Sequence, residues 1–289
     1  GKETIGETLL MRPAARLALA PLSGVSFDLE TGYRSMLSKT SEESGDISFL
    51  DFSARLGTRL QRTFINTEKN RSLRHDIEPE IRYLHIADGG QTTFSELIPE
   101  NSFLPTDRVT LALTNRLTTR TSDAEGNPLR RERLWLRLSS GYALSSDATT
   151  PETILPLRSE VSLNVADWLT LRSDASYGLE AGEHRWNSVK SGIQLKDRRR
   201  DELSIDYYYQ DKDIANYLSG RLKMPLTDQT SLAYEARYSV DGSEFLEHRA
   251  NLEYRGQCWG VIFTYRERPD DEQFLVNFTL AGLMEQSVL

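Results

Sequence analysis

The sequence lacks any long hydrophobic run and has almost no cysteine. No stretch of about 18 consecutive apolar residues occurs, which excludes a transmembrane helix. No charged-then-apolar segment opens the sequence, so we expect no signal peptide within it. The first residue is Gly1 rather than Met, so we expect a processed product or a piece of a longer protein. The single cysteine, Cys258, has two common interpretations: an inert buried thiol, or a bond to a partner outside this sequence.

The short motifs of common enzymes and metal sites are also missing. There is no GxSxG, HExxH, P-loop or CxxC pattern. The histidines show no ligand spacing; they are His75, His85, His184 and His248. We therefore expect no metal, no cofactor and no enzymatic activity. The alternative is a membrane-embedded lipid hydrolase in which His248 acts with Ser239 or Ser243, but no convincing Asn or Asp lies beside them to orient the histidine.

The chain has no excess of positive charge. It carries 35 Lys and Arg against 43 Asp and Glu, a net charge of −8. No basic face dominates, which argues against a nucleic-acid partner. The run Arg198–Arg200 is predicted to be a solvated turn, with contact to lipid phosphate or a periplasmic partner as the alternative. The run Asp270–Glu272 is predicted to lie in an outer loop, as solvated carboxylates or as a site for divalent cations.

The dominant pattern that is present is a repeated alternation of apolar and polar residues, with occasional exceptions such as Trp135. In one segment Leu134, Leu136 and Leu138 alternate with Arg133 and Arg137. We count about fifteen such segments, most of roughly 10–14 residues, whereas strands of soluble proteins average roughly 5–6. A tilted strand needs roughly 9–11 residues to cross a bilayer. The pattern predicts an all-β protein made of antiparallel transmembrane β-barrel strands. We expect these strands to be part of a larger barrel.

The connections between these segments alternate in length. Short turns are predicted at Pro21, Asp167, Pro225 and Gly256. Longer polar loops are predicted near Glu42, over Ile86–Asp107 and near Asp147. Outer-membrane barrels have short periplasmic turns and longer outer loops, so the alternation favours that class. Two segments, 62–73 and 120–131, are long for the short set.

The polar side of the alternation predicts a lumen lined by charges of both signs. Mixed signs favour cross-strand pairs and a wet interior. The predicted lining residues are Arg55, Arg59, Glu78, Glu80, Arg82, Arg116, Arg137, Arg172, Asp174, Glu235, Arg237, Glu247 and Arg249. Such a lining suits a general diffusion channel, or a wide barrel that holds a plug protein or passes an amphipathic substrate.

Four stretches resemble one family. "RSLRHDIEPEIRYLHI" (71–86) is similar to the Arg…His…Glu-Pro…Tyr strand of the lipopolysaccharide-assembly outer-membrane proteins, the LptD or organic solvent tolerance family. "LPTDRVTLALTNRLTTR" (104–120) resembles the strand that follows, and "NLEYRGQCWGVIFTYRE" (251–267) resembles a cysteine-containing turn before the last two strands. "FLVNFTLAGL" (274–283) resembles the closing strand. The resemblance extends over essentially the whole chain.

The resemblance implies transport and insertion of lipopolysaccharide into the outer leaflet of the outer membrane of a Gram-negative bacterium. Residues 1–289 would be the C-terminal portion of the barrel domain, with the periplasmic N-terminal domain and the first strands absent. The implied partners are lipopolysaccharide, the plug lipoprotein LptE, the periplasmic bridge protein LptA and outer-membrane lipids. The alternative, which the residues leave open, is a porin-like general diffusion channel.

Two residue-level expectations follow from the resemblance. Many members carry two adjacent cysteines where this chain has Gln257-Cys258, so at most one disulfide, from Cys258 to the absent periplasmic domain, is implied. Fifteen strands is an odd number, so we expect the last strand to meet a missing first strand rather than the strand near Leu9–Leu19. That seam would be the lateral exit, and its residues here are Phe274, Val276, Phe278 and Leu280.

Overall fold

The described part of the chain consists of long β-strands. A computed structural model describes residues 6–40, 44–66, 71–87, 106–122, 127–144, 154–179, 185–211 and 215–280. These residues form seventeen strands and no helix. In particular, no helix long and apolar enough to span a membrane occurs among them. Every strand pairing described below is antiparallel, so the all-β antiparallel prediction is confirmed.

The strands differ in length from six to seventeen residues. They are β1 (Gly6–Met11), β2 (Ala14–Leu22), β3 (Val25–Thr40), β4 (Ser44–Thr58), β5 (Leu60–Asn66), β6 (Arg71–Ile86), β7 (Thr106–Ser122), β8 (Pro128–Ala143), β9 (Ile154–Ala166), β10 (Leu169–Tyr177), β11 (Trp186–Lys196), β12 (Glu202–Gln210), β13 (Ala215–Pro225), β14 (Thr230–Ser239), β15 (Glu244–Arg255), β16 (Trp259–Arg268) and β17 (Asp271–Leu280).

The first of two compact units contains β1 to β7 together with residues 137–158. In it, β1 and β2 both pair with β3, β3 pairs with β4, β4 and β5 both pair with β6, and β6 pairs with β7. β1 and β2 are one run interrupted at Arg12-Pro13, because proline has no N–H to continue the ladder. The Pro13 carbonyl still accepts the N–H of Tyr33 at 3.0 Å.

A second interruption separates β4 from β5 at Arg59. The Arg59 N–H leaves the ladder and donates to the carbonyl of Gly24 at 3.1 Å. Gly24 has a positive φ of 82°, a conformation that glycine adopts without strain, in the turn between β2 and β3. Counting each interrupted pair once reduces seventeen strands to fifteen, which is the number that the alternation predicted.

The second unit contains β10 to β17 together with residues 131–136 and 159–166. Each strand from β10 to β16 pairs with the next strand along the chain. The register is regular over most of this unit, with irregularities at Ser176/Tyr177 and Arg237/Tyr238.

Three of the predicted connections are shorter than the sequence indicated. β5 continues to Asn66 and β6 begins at Arg71, so most of 62–73 is strand. β7 likewise continues to Ser122 and β8 begins at Pro128, which shortens the predicted connection at 120–131. Only Asp270 of the acidic run lies in a connection: Pro269 and Asp270 separate β16 from β17, whereas Asp271 and Glu272 pair with Arg268 and Glu267. The loop prediction was therefore wrong for Asp271 and Glu272. Aspartate is depleted in strands, but cross-strand pairing places Asp271 in one. The predicted loops around Glu42, over most of 86–107 and around Asp147 lie largely outside the described residues.

The two faces of the strands differ sharply in chemistry. One row across β10 to β13 holds Leu169, Leu195, Leu203 and Leu222. The neighbouring row across the same four strands lies on the opposite face and holds Thr170, Gln194, Ser204 and Arg221. The apolar residues are exposed: Ile193 and Ile205 are 47% and 48% accessible and Phe278 is 74% accessible. The burial of a soluble protein is thus inverted over much of the described chain.

Candidate functional site

The polar face is organised around buried carboxylates, each held by two arginines. Asp76 in β6 is the most buried of them, with no exposed surface. The Nε of Arg59 donates to its Oδ1 at 3.1 Å, and the Nε of Arg74 donates to its Oδ2 at 2.8 Å. A buried carboxylate is strongly destabilising unless it is paired and hydrogen-bonded, so the two guanidinium groups are required by its burial.

We call a carboxylate held by two arginines a clamp. A second clamp is centred on Asp51 in β4, and one of its arginines, Arg12, lies at the interruption between β1 and β2. Arg12 donates from two nitrogens to the two carboxylate oxygens at 2.9 and 2.7 Å, and Arg34 donates to Oδ2 at 2.6 Å. Gly32 makes room for this pair, because a Cβ there would lie 2.9 Å from the Asp51 Oδ1 and 3.1 Å from the Arg12 Nε. Bidentate pairs of this kind are among the stronger hydrogen-bonded ion pairs.

Glu78 and Glu80 extend the same face of β6. Arg55 and Arg137 approach the Glu80 carboxylate at 2.7 and 3.2 Å. Arg59 and Arg116 approach the Glu78 carboxylate at 3.4 and 3.7 Å. The structure therefore brings together six of the predicted lining residues in the first unit: Arg55, Arg59, Glu78, Glu80, Arg116 and Arg137.

The second unit repeats the arrangement around Glu235 and Glu247. Arg221 and Arg237 lie 2.8 and 3.2 Å from opposite oxygens of Glu235. Arg249 and Arg268 lie 2.7 and 2.9 Å from opposite oxygens of Glu247. Both carboxylates are buried, at 9% and 6% accessibility. The predicted residues Glu235, Arg237, Glu247 and Arg249 thus belong to two adjacent clamps, which place four guanidinium groups around two carboxylates.

Three predicted lining residues lie on the polar face outside these clamps. Arg82 is exposed and opposes Arg55 in register. Arg172 is exposed and opposes Gly192. Asp174 is half-buried and opposes Lys190.

The sequence reasoning missed several members of the clamps. Asp51, Arg74 and Asp76 occupy alternate positions on the polar face of their strands, so the alternation could have predicted them. Arg12 lies at a strand interruption and Arg268 at the end of β16, where alternation gives no indication of the face.

Cys258 lies in the tight turn between β15 and β16, as predicted. The Gly256 N–H donates to the carbonyl of Trp259 at 2.7 Å and closes the turn. The thiol is exposed, so the interpretation as an inert buried cysteine does not hold. The bond to another part of the protein stays a prediction.

Within the described residues, neither Ser239 nor Ser243 hydrogen-bonds to His248, the contact that the hydrolase interpretation requires. His248 lies on the apolar face, and its Nδ1 is 2.7 Å from the hydroxyl of Tyr234. Its ring also packs against Phe245, with centroids 4.4 Å apart. Ser239 uses its hydroxyl to accept the N–H of Gly242 at 2.9 Å.

The predicted seam residues all lie in β17. Phe274, Val276, Phe278 and Leu280 oppose Tyr265, Phe263, Val261 and Trp259 of β16, and together these residues form an apolar face. All four side chains are exposed, with Phe274 at 70% accessibility. The role of β17 as a seam stays a prediction.

One curated protein resembles the chain over most of its length. The LPS-assembly protein LptD of Nitrosospira multiformis is 25% identical over 240 residues, which cover 74% of this chain. The chain spans about a quarter, 25%, of the length of that relative. No family model matches the sequence.

Proposed function

We propose that this chain forms barrel strands that cross the outer membrane of a Gram-negative bacterium and take part in moving lipopolysaccharide to the outer leaflet. The observation that carries the proposal is the inverted burial: clamped carboxylates are buried while large apolar side chains are exposed. Lipid is the solvent in which an exposed apolar face is stable. The likeness to a lipopolysaccharide-assembly protein supplies the substrate class.

The chemistry of the clamps suits a phosphorylated saccharide. In the second unit four arginines surround Glu235 and Glu247, so positive charge exceeds negative charge at that place on the polar face. Arginine binds phosphate and carboxylate groups through paired donors, and the carboxylates hold the guanidinium planes in place. The face would offer the anionic sugars of lipopolysaccharide a polar path while the acyl chains stay in lipid.

Within this proposal the chain acts by transport alone, with no chemical step and no cofactor. The chain is the C-terminal part of a larger barrel, plugged by a lipoprotein such as LptE and supplied by a periplasmic bridge protein such as LptA. The exposed thiol of Cys258 bonds to a cysteine of the periplasmic domain and holds that domain below the lumen. Lipid A leaves between β17 and the first strand of the complete barrel.

A complementation experiment tests the transport function. The complete gene would be placed in a strain depleted of its own copy, and lipopolysaccharide on intact cells would be measured with a surface-binding antibody. The Arg221→Ala/Arg249→Ala double variant should reduce surface lipopolysaccharide at equal protein abundance, because it removes one arginine from each clamp. The matched control Arg255→Ala removes a 74% exposed arginine near the turn.

Two outcomes of this experiment would overturn the proposal. Full surface lipopolysaccharide after depletion, with no plasmid copy, would show that the protein is not required for export. Rapid diffusion of small hydrophilic solutes through liposomes holding the purified complete protein, together with unimpaired export in depleted cells, would instead identify a general diffusion channel.

A further inference from the structure

We infer that the second unit carries a binding site for a zwitterionic, amine-bearing phospholipid such as phosphatidylethanolamine. The site is a pocket of about 710 Å³ at the strand ends joined by the β9–β10 and β11–β12 turns. Pockets of roughly 300–1,000 Å³ are of the size that holds small organic ligands. The inference goes beyond lipopolysaccharide transport and rests only on the membrane embedding within the proposed function.

The wall of the pocket is apolar and belongs to the exposed face of the strands. It is formed by Trp168, Leu195, Leu203 and Leu222. The three leucines are register partners on β11, β12 and β13. The next row on the same face continues through Ile193 and Ile205, so an acyl chain lying on the wall can extend along the strands. Trp168 is 56% exposed at the strand end, as expected of an indole at the level of lipid headgroups.

The polar edge of the pocket is mostly occupied by internal contacts. Lys196 and Glu202 form an ion pair at 3.4 Å. Asp197 accepts the backbone N–H groups of Arg199 and Asp201 at 2.7 and 2.9 Å, which fixes the turn. Asp167 is paired with Arg131 and, at 3.7 Å, with Arg133. These groups shape the site, and each already has a partner within the protein.

Two charged side chains of opposite sign remain available at this edge. Arg198 and Asp201 both line the pocket, and within the described residues neither side chain makes a hydrogen bond or an ion pair. Arg198 is exposed and Asp201 is half-buried. One unpaired cation and one unpaired carboxylate beside an apolar wall are complementary to a phosphate, an ammonium group and acyl chains on one molecule. An anionic headgroup without an amine would leave Asp201 unpaired and near its phosphate, so the charge pattern favours the zwitterion.

Native mass spectrometry of the purified complete protein tests the site. The protein in detergent would receive equal amounts of phosphatidylethanolamine, phosphatidylcholine and phosphatidylglycerol with the same acyl chains. We expect phosphatidylethanolamine to be retained about fivefold more than either competitor, since charge-assisted hydrogen bonds contribute on that scale. Arg198→Ala should reduce the retention of all three lipids. Asp201→Asn should reduce only the retention of phosphatidylethanolamine and remove its preference.

The matched controls are Arg199→Ala and Asp228→Asn. Arg199 is in the same turn and Asp228 is an exposed carboxylate between β13 and β14; neither lines the pocket. Both variants should retain lipid like the unmodified protein. Equal retention of the three lipids by the unmodified protein, or equal effects of Asp201→Asn and Asp228→Asn, would overturn the site.

Fluorescence gives a second measurement that does not depend on the charge variants. Brominated phosphatidylethanolamine quenches indoles that it contacts, so quenching in nanodiscs should include a component that is lost in Trp168→Phe. The absence of that component would also overturn the site. Surface lipopolysaccharide is a separate readout: its loss with lipid retention intact, or the reverse, distinguishes failure of this inference from failure of the proposed function.

Discussion

The Nε of Arg59 lies 3.1 Å from the Oδ1 of Asp76, and it comes from the one residue that interrupts the run of β4 and β5. Arg59 is 47% exposed along its side chain while Asp76 is fully buried. The interruption and the buried charge are therefore parts of the same arrangement: the backbone leaves the ladder where a guanidinium group must reach a carboxylate on the neighbouring strand.

Replacing Asp76 should be more destabilising than replacing any exposed carboxylate. Asp76→Asn removes the anion that Arg59 and Arg74 share and leaves Arg59 only its longer 3.4 Å contact with Glu78, so we expect a loss of about 1.5–3 kcal/mol, the range for hydrogen bonds to a charged group. The free energy of unfolding in urea, measured in lipid vesicles, gives the value. Asp228→Asn, in an exposed turn, is the control and should change it by less than about 0.5 kcal/mol. Equal effects of the two variants would show that the clamp is not needed for stability.

An arginine should be tolerated on one face of β12 and not on the other. Ile205→Arg places a charge on the exposed apolar face and should destabilise the protein by about 2–4 kcal/mol if that face meets the bilayer core. Ser204→Arg, one residue away on the polar face opposite Gln194 and Arg221, should cost much less. Comparable losses in the same vesicle unfolding assay would contradict a lipid-facing apolar surface.

Gly32→Ala should weaken the Asp51 clamp without changing any charge. The new Cβ would lie 2.9 Å from the Asp51 Oδ1, and Arg12 and Arg34 hold that carboxylate so that it has little freedom to move. We expect a loss of about 1–3 kcal/mol, the usual range for overpacking. Gly220→Ala is the control, because its Cβ would meet nothing within 4 Å. A loss at Gly220 as large as at Gly32 would indicate a general effect of alanine in these strands.

The exposed thiol predicts a covalent link in the complete protein. Mature protein from cells should migrate differently with and without reductant on a gel, and Cys258→Ser should abolish this difference and reduce surface lipopolysaccharide. Free thiols do not persist at exposed sites of an oxidising compartment. Gln257→Ser, in the same turn, is the control and should keep the mobility difference. Complete labelling of Cys258 by a thiol reagent in unreduced protein would contradict the link.

Locking β17 should block export if it borders the lateral exit. A cysteine placed at Thr279 would be cross-linked to a cysteine in the first strand of the complete barrel, and surface lipopolysaccharide would be measured before and after reduction. We expect export to stop when the link forms and to resume when it is reduced. A link two residues earlier in β17, between Ile262 and Asn277, joins strands that are already paired and is the control. Export that continues with the β17 link closed would assign the exit elsewhere.

Period-two alternation predicted most of the fold because it reports which residues share a face. The all-β class, the fifteen runs and the mixed charges of the polar face all follow from it. The alternation did not predict the face of residues at strand interruptions and strand ends. Arg12 and Arg268 occupy such positions and contact carboxylates on neighbouring strands. The pairing of specific arginines with Asp51 or Asp76 depends on strand register, and a single sequence does not specify register at this precision. The loop prediction for Asp271 and Glu272 was wrong for a different reason, since consecutive acidic residues usually indicate a loop but here begin a strand.

The pairing of each strand with its neighbour along the chain also bears on how the protein folds. From β10 to β17 every ladder is a hairpin, and some turns are as short as Pro269-Asp270. Closing such short loops loses little chain entropy, and topologies rich in local contacts fold faster than those that need distant segments to meet. Each hairpin that forms leaves an open edge onto which the next one can be added. Such a sheet can therefore grow strand by strand through local contacts, without first bringing distant segments of the chain together.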